Sequence, residues 1–510
     1  MGLILTPEIA VELLRICPAL ERIDGAAALW AAAAAPGGVG AGRWGSLTSL
    51  GIRQGGFAAW GMGDFAALGF GPHPASGPGR DASGATAALL PQLRGLRRLR
   101  VEAGLASSWR SLCAALPALT GLTSLEISGV DCDTDDGEPL PLAACTGLRE
   151  LWLSEWLGQG AVRELAAAGE ALARVTRLAL ASSDSESTAC LPAADTKSLT
   201  AAFPSLVEME LRNVSLCEAP AAAAVFPHLT RLKINTTAPG SQGWAASLLA
   251  LEVCDDAAAT SPAALPSGLR ELRLSCPHQG DDDCSDGMEG WMRAVGRLSS
   301  LTKLECRLAG GAFPRAVAGG AGGGAAQRAA SCLEVWAAGW PASLRALTLS
   351  FAVAARGAGE VPLEAVLPAL AHAPVASTLA ELRLEGVCDG DGRDLVALAA
   401  FPCLEALRIK LGWRVYTNDT LPYPPDDACL HAVCAALPTA RAGARSLREV
   451  HLELPFRALW PGETWLEDAY GARRRYDGVP WGVCEELTAE HAPLLRVGFF
   501  SHGETWGWRY

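Results

Sequence analysis

One spacing recurs along the whole chain: apolar-x-x-apolar-x-apolar. It is clearest from Phe203 to Thr237. There Phe-Pro-x-Leu-x-x-(Met/Leu)-x-(Leu/Ile) occupies Phe203 to Leu211 and returns at Phe226 to Ile234, 23 residues later. Further copies begin at Leu20, Leu47, Leu96, Leu122, Leu148, Val175, Leu248, Leu269, Leu301, Leu344, Leu379, Leu404 and Leu447. Leu494 (LLRVGF) offers a final turn, and Phe65 (FAALGF) matches less well. The starts at 96, 122, 148 and 175 lie 26, 26 and 27 residues apart. A fixed apolar spacing at such a period constrains a chain strongly. Each copy is too short to bury its own apolar face, so neighbours must stack and share one core. Within a copy, Met209 and Leu211 fall on one face of a short strand at period two, which turns Glu208, Glu210 and Arg212 outward.

Helical patterns fill the gaps, at Ala161 to Arg174, Met288 to Leu298 and Asp427 to Leu437. Pro117, Pro204, Pro227 and Pro402 stand before strands, where a helix must stop. Some fifteen hexamers in register, each followed by a helix or turn, make the chain resemble the leucine-rich repeat family over nearly its whole length. Its style is closest to the ribonuclease-inhibitor-like and F-box-associated members. The resemblance implies an α/β solenoid, a horseshoe of about 15 repeats with a parallel β-sheet on the concave face and helices on the convex face. It also implies a partner protein bound on the concave face. At one position the chain departs from the family. Three residues past the last strand apolar residue the family commonly has Asn or Cys, and here stand Val130, Val214 and Val387. Loop backbone groups must then be satisfied in another way.

The expected organisation is a capping repeat region at 1–46, a repeat array at 47–454 and an aromatic-rich C-terminal insertion and cap at 455–510. Low-complexity insertions interrupt the array at 71–86 and 310–327. A third insertion, Arg457 to Pro480, holds Trp460, Trp465 and three consecutive arginines. The last segment holds Trp506 and Trp508, which suit the covering of a final core face.

Composition narrows the function. The net charge of −13 argues against non-specific nucleic-acid binding. The longest apolar run, Ala26 to Ala35, is about half a membrane span. The N-terminus carries no secretory pattern, so a cytoplasmic location is expected, with the 16 cysteines reduced and several in small apolar repeat positions. The sequons at Asn213, Asn235 and Asn418 then read as chance matches. Four lysines among 42 basic residues reflect a high-GC coding bias rather than a function.

The outward strand positions carry fourteen basic and twelve acidic residues, so this face stands at +2 and the rest of the chain at −15. The middle outward position reads Glu210, Lys233, Glu252, Arg273, Glu305 on successive strands. Alternating charges roughly 4.8 Å apart are expected to pair with one another. The ends of the array are where a partner is expected. Arg98, Arg100, Glu126, Glu150 and Trp152 gather at one end, and Arg408, Lys410, Trp413 and His451 at the other.

Other chemistry is weaker. The acidic loops at Asp131 to Glu138, Asp281 to Asp286 and Asp389 to Asp394 lack the glycine and glutamate positions of a calcium loop. Gly40-Ala-Gly42-Arg-Trp-Gly45 has no strand before it and no helix after, so it is not a nucleotide loop. Cys429, His431 and Cys434 do not share one helix face. Met1-Gly2 through Thr6 fits a myristoylation pattern but has no polybasic second anchor. No cofactor or metal is expected. A non-enzymatic protein-binding scaffold follows. In the family such a chain serves as the substrate receptor of an SCF-type ubiquitin ligase, contacting a Skp-type adaptor and cullin, or as a structural protein of the ciliary axoneme. Leu5 to Ile9 with Leu13-Leu14 faintly resembles an F-box start, although the repeat register begins at Leu20. The rival reading is an enzyme with a site around His451, Glu485, Glu486, His491 and His502.

Overall fold

A computed structural model describes residues 22–26, 47–53, 90, 93–102, 112–128, 141–154, 165–182, 189–191, 193–212, 214–216, 226–234, 248–254, 265–276, 284–309, 325–352, 363–387, 393–411, 414–415, 422–423, 427–455, 463–467, 473–477 and 494–500. The chain divides into two compact units, Met1–Leu232 and Lys233–Tyr510.

In the first unit, strands follow the hexamers: β1 Arg22–Ala26, β2 Ser49–Arg53, β3 Arg98–Glu102, β4 Ser124–Ser128, β5 Glu150–Ser154, β6 Arg177–Ala181 and β8 Glu208–Arg212. β7 Ala189–Leu191 and β9 Val214–Leu216 are accessory strands, and β10 Arg231–Ile234 straddles the boundary. The main strands lie side by side in chain order and pair in parallel. The second unit continues with β11 Ala250–Cys254, β12 Glu271–Cys276, β13 Lys303–Ala309, β14 Ala346–Ala352, β15 Glu381–Val387, β16 Ala406–Leu411, β19 Glu449–Pro455 and β22 Leu495–Phe500. These too are parallel and in chain order. β17 Arg414–Val415 pairs with β18 Pro422–Tyr423, and β20 Glu463–Glu467 with β21 Arg473–Asp477, both antiparallel and apart from the main strands. Each hexamer from Leu20 to Leu494 therefore opens a main-sheet strand. Phe65 lies outside the described residues.

The strand apolar residues form the core. Leu125, Leu151, Leu178, Met209, Leu211, Leu272, Leu304, Leu347, Leu382 and Leu407 are all buried. Helical pieces lie between the strands of both units, as far as the residues are described. The first uses short pieces: 3₁₀ turns at Leu116–Ala118 and Leu142–Ala144, α1 at Gly169–Leu172 and α2 at Ala193–Ala202. The described helices of the second are α3 Cys284–Val295, α4 Ala325–Ala338, α5 Leu363–Ala371 and α6 Asp427–Gly443, all but α5 longer than α2. Its 3₁₀ segments are Pro374–Ser377 and Arg393–Ala400. α3 buries Met288, Trp291, Met292 and Val295, a stripe at helical spacing. α6 begins at Asp427 as expected, but runs on past Leu437 through Pro438. α4 starts at Ala325, inside the stretch expected to be low-complexity loop. Strands joined in parallel by helical or 3₁₀ connections, at the spacing of the hexamers, make this an α/β leucine-rich-repeat solenoid.

The entry to each strand repeats as well. The N–H of the first hexamer residue donates to the carbonyl three residues earlier, as from Leu206 to Phe203, Leu229 to Phe226 and Leu404 to Phe401, at 3.1–3.2 Å. This turn explains the Phe-Pro-x-Leu spacing. In most described repeats the next carbonyl accepts two N–H groups from the following one. Arg97 O, for example, takes the N–H of Thr123 at 2.8 Å and of Ser124 at 2.9 Å. Hydroxyls add to these carbonyls. Thr123 Oγ1 donates to Arg97 O at 3.0 Å, Thr176 to Arg149 O at 3.3 Å and Thr302 to Arg270 O at 3.1 Å.

The strand exits show what stands in place of the family's asparagine. Val214 is fully buried and opens β9, which pairs in parallel with β7 of the preceding repeat. Val387 is also fully buried, and the register slips between Glu385 and Val387. Gly386, at φ 70°, makes that bulge. Backbone pairing and a bulge thus serve these exits. Val130 lies outside the described residues.

A candidate protein-binding face built from outward strand positions

Strand alternation turns every second residue away from the core, so each repeat presents three side chains side by side with those of its neighbours. Among the described residues of the first unit these positions include three ion-paired groups, one of them Arg212 Nε to Glu210 Oε1 at 2.6 Å. Arg100 Nε stands 3.2 Å from Glu126 Oε1. Arg177 bridges two strands, with Nη1 3.2 Å from Glu150 Oε1 and Nε 3.0 Å from Glu208 Oε2. The Arg100 and Arg177 Nε atoms meet these acids by distance but without hydrogen-bond alignment, so Coulomb attraction rather than a directed bond holds them. The register sets Trp152 beside Glu126, and the Arg177 guanidinium lies 6.0 Å from the centre of a Trp152 ring. A cation near an aromatic face at this distance adds a modest attraction.

In the second unit the middle row pairs as its alternating charges require. Lys233 Nζ is 3.1 Å from Glu252, and Arg273 contacts both Glu252, at 3.8 Å, and Glu305. Half-exposed pairs of this kind contribute about 0.2–1 kcal/mol each. Their effect is to cancel charge across the face.

Of the residues expected to meet a partner, Arg98 is exposed, and Arg100, Glu126, Glu150, Trp152, Arg408 and His451 are half-buried. Lys410 is only 8% exposed, between Glu385 and Glu453 in the register. Trp413 lies outside the described residues, as do Glu485, Glu486, His491 and His502. The structure brings Arg100, Glu126, Glu150 and Trp152 onto adjacent strands, and Arg408, Lys410 and His451 onto another adjacent pair. The first group is a set of paired charges around a tryptophan. Arg177, Arg383 and Arg496 complete these groups. Past Glu305 the middle row continues with Thr348, Arg383, Arg408, His451 and Arg496, and the alternation ends.

Cysteine serves the core. Cys113, Cys145, Cys306, Cys332 and Cys434 are buried outside any disulfide, and Cys403 is exposed. Burial pushes the Cys145 thiol from 9.0 up to about 11. Burial, with Glu305 next to it, pushes Cys306 higher still. Among the described residues no group of three or more His, Cys, Asp or Glu is placed to hold a metal ion. The acidic loops at 131–138 and 281–283, Asp389 and Asp391 lie outside those residues. No helix among the described residues is long and apolar enough to cross a membrane.

No family model and no curated protein matches the sequence. Among solved structures, the crystal structure of the TLR13–ssRNA13 complex is similar at 12% identity and a TM-score of 0.34. The alignment covers 86% of this chain and 62% of that one, so the chain spans less than two thirds of that structure's length. The strands, their register and the repeat itself define the solenoid.

Proposed function

We propose that the chain is a non-enzymatic scaffold that binds a partner protein on the outward face of its parallel strands. The observation that supports this is Trp152, held half-exposed on a strand among Glu126, Glu150 and Arg177. An aromatic ring with arginine beside it is the usual composition of an interface anchor. Arg98, Arg100, Glu126 and Glu150 surround that anchor, and Arg408, Lys410, Trp413 and His451 form a second contact region.

In finer terms, the reading is a cytoplasmic receptor in the style of the ribonuclease-inhibitor-like and F-box-associated repeat proteins, presenting a substrate to an SCF-type ubiquitin ligase. The test is affinity capture of the tagged chain from its native cells, read by mass spectrometry, beside a Trp152→Ala/Arg100→Glu bait. Skp-type adaptor and cullin subunits are expected with the wild-type bait, together with a substrate protein that the double variant loses. Tubulin or dynein components in their place would assign the chain to the axoneme. Capture of the same proteins by both baits would remove the Trp152 region from the interface.

A further inference from the structure

We propose that the row Arg383, Arg408, His451 and Arg496 receives an extended acidic segment of the partner, with Arg408 as the central carboxylate-binding residue. This rests on the scaffold reading and names the chemistry of what docks. The register places the four side chains on β15, β16, β19 and β22 in immediate succession, with neutral Thr348 beside Arg383. Earlier in the same unit, the cations of this row alternate with acids on adjacent strands. Here no acid stands in the row. Three members reach sideways: Arg383 Nε to Glu385 Oε1 at 2.6 Å, His451 Nδ1 to Glu453 at 3.8 Å and Arg496 Nε to Glu449 at 4.0 Å.

Arg408 differs. It is half-buried and makes no ion pair with any described residue, whereas Arg100 and Arg177, whose Nε atoms likewise lack a hydrogen bond, stand beside glutamates. A half-buried guanidinium set between Arg383 and His451, without an acid beside it, gains a charge-assisted partner when a carboxylate meets its terminal nitrogens. The site is ready for an acid that the chain's own described residues do not supply.

The shape of the charge selects the ligand. The flanking rows hold Glu381 and Glu449 on one side and Glu385 and Glu453 on the other. Lys410 stands between Glu385 and Glu453 in the second of these rows, so the flanks are net acidic and the positive potential is confined to the middle row. A broad polyanion would meet the glutamates. A single extended peptide, laid across the strands, can present alternate carboxylates to the strip alone. Three strand spacings from Arg383 to Arg496 come to roughly 14 Å, and four residues of extended chain span about the same. Acids at i, i+2 and i+4 would then meet the row along its length.

The probe is a fluorescein-labelled twelve-residue peptide of alternating Glu and Thr, titrated into the full chain and read by anisotropy. A Lys-Thr peptide and a twelve-nucleotide oligouridine run beside it. Saturable binding of the Glu-Thr peptide is expected, weakened about tenfold or more by Arg408→Ala and by Arg496→Glu. Arg273→Ala, in the alternating part of the row, is expected to leave it within about twofold. Arg496 is well exposed, so its substitution tests the strip without threatening the fold, and melting curves accompany each variant. Absence of saturable binding, or equal binding by all variants, overturns the proposal. So does tighter binding of oligouridine that is lost with Arg408→Ala. The two readings fail separately. A captured partner that needs Trp152 and Arg100, with no peptide binding, removes the acidic strip and leaves the scaffold. Arg408-dependent peptide binding with no captured protein does the reverse.

Discussion

Gly386 and the buried thiols show how single residues carry the repeat. At φ 70°, Gly386 occupies a conformation that an L side chain adopts only with strain, and a Cβ there would strike the Phe351 carbonyl oxygen. Gly386→Ala is therefore expected to cost about 1–3 kcal/mol, measured by denaturant unfolding. The thiols make stability depend on alkaline pH. Unfolded, Cys145 loses its proton near 9; folded, it keeps it up to about 11. Between those values the unfolded state binds fewer protons, so stability falls as pH rises. Thermal midpoints taken across this window are expected to decline, and Cys145→Ala to decline less steeply. Midpoints of the variant that track the parent throughout would exclude Cys145 as a source of the slope.

At the scale of the element, a strand is defined as much by its entry as by its apolar face. The N–H of the first hexamer residue closes a turn, and the next carbonyl collects two N–H groups and often a hydroxyl from the following repeat. Thr302→Val keeps the shape and removes one donor to Arg270 O. The expected loss is about 0.5–1.5 kcal/mol, read from the unfolding midpoint. Leu211 stands on the other side of the strand, 1% exposed. Leu211→Asp puts an unpaired charge into the shared core, at a cost of at least about 3 kcal/mol. An unchanged melting curve would contradict the inward placement of this side chain.

For the whole molecule, parallel strands in chain order mean that main-strand pairing runs only between successive repeats within each unit. Damage should then be local. Hydrogen exchange on the Leu211→Asp chain is expected to lose protection in β6 and β8 while β15, β16 and β19 keep theirs. Loss of protection throughout would mean that the chain unfolds as one cooperative body. The charge follows a similar logic. Where cations and acids alternate, as from Lys233 to Glu305, the face neutralises itself. Where alternation stops, after Thr348, Arg383, His451 and Arg496 turn sideways to glutamates and Arg408 has no ion pair among the described residues.

The hexamer spacing was enough to place sixteen strands and the outward row, because apolar periodicity is a local signal that each repeat restates. It also foretold the ion pairing from Lys233 to Glu305, since a parallel sheet in register converts sequence position directly into lateral neighbours. The valines after the strands marked a departure from the asparagine ladder, but not its replacement. The β7–β9 pairing and the Gly386 bulge depend on backbone groups from a neighbouring repeat, about 25 residues distant in the chain. The partition of charges was equally hidden. That Arg177 reaches both Glu150 and Glu208, while Arg408 reaches no acid among the described residues, depends on side-chain packing across three strands. Periodicity sets which residues are neighbours; only their packing together settles which of them bond.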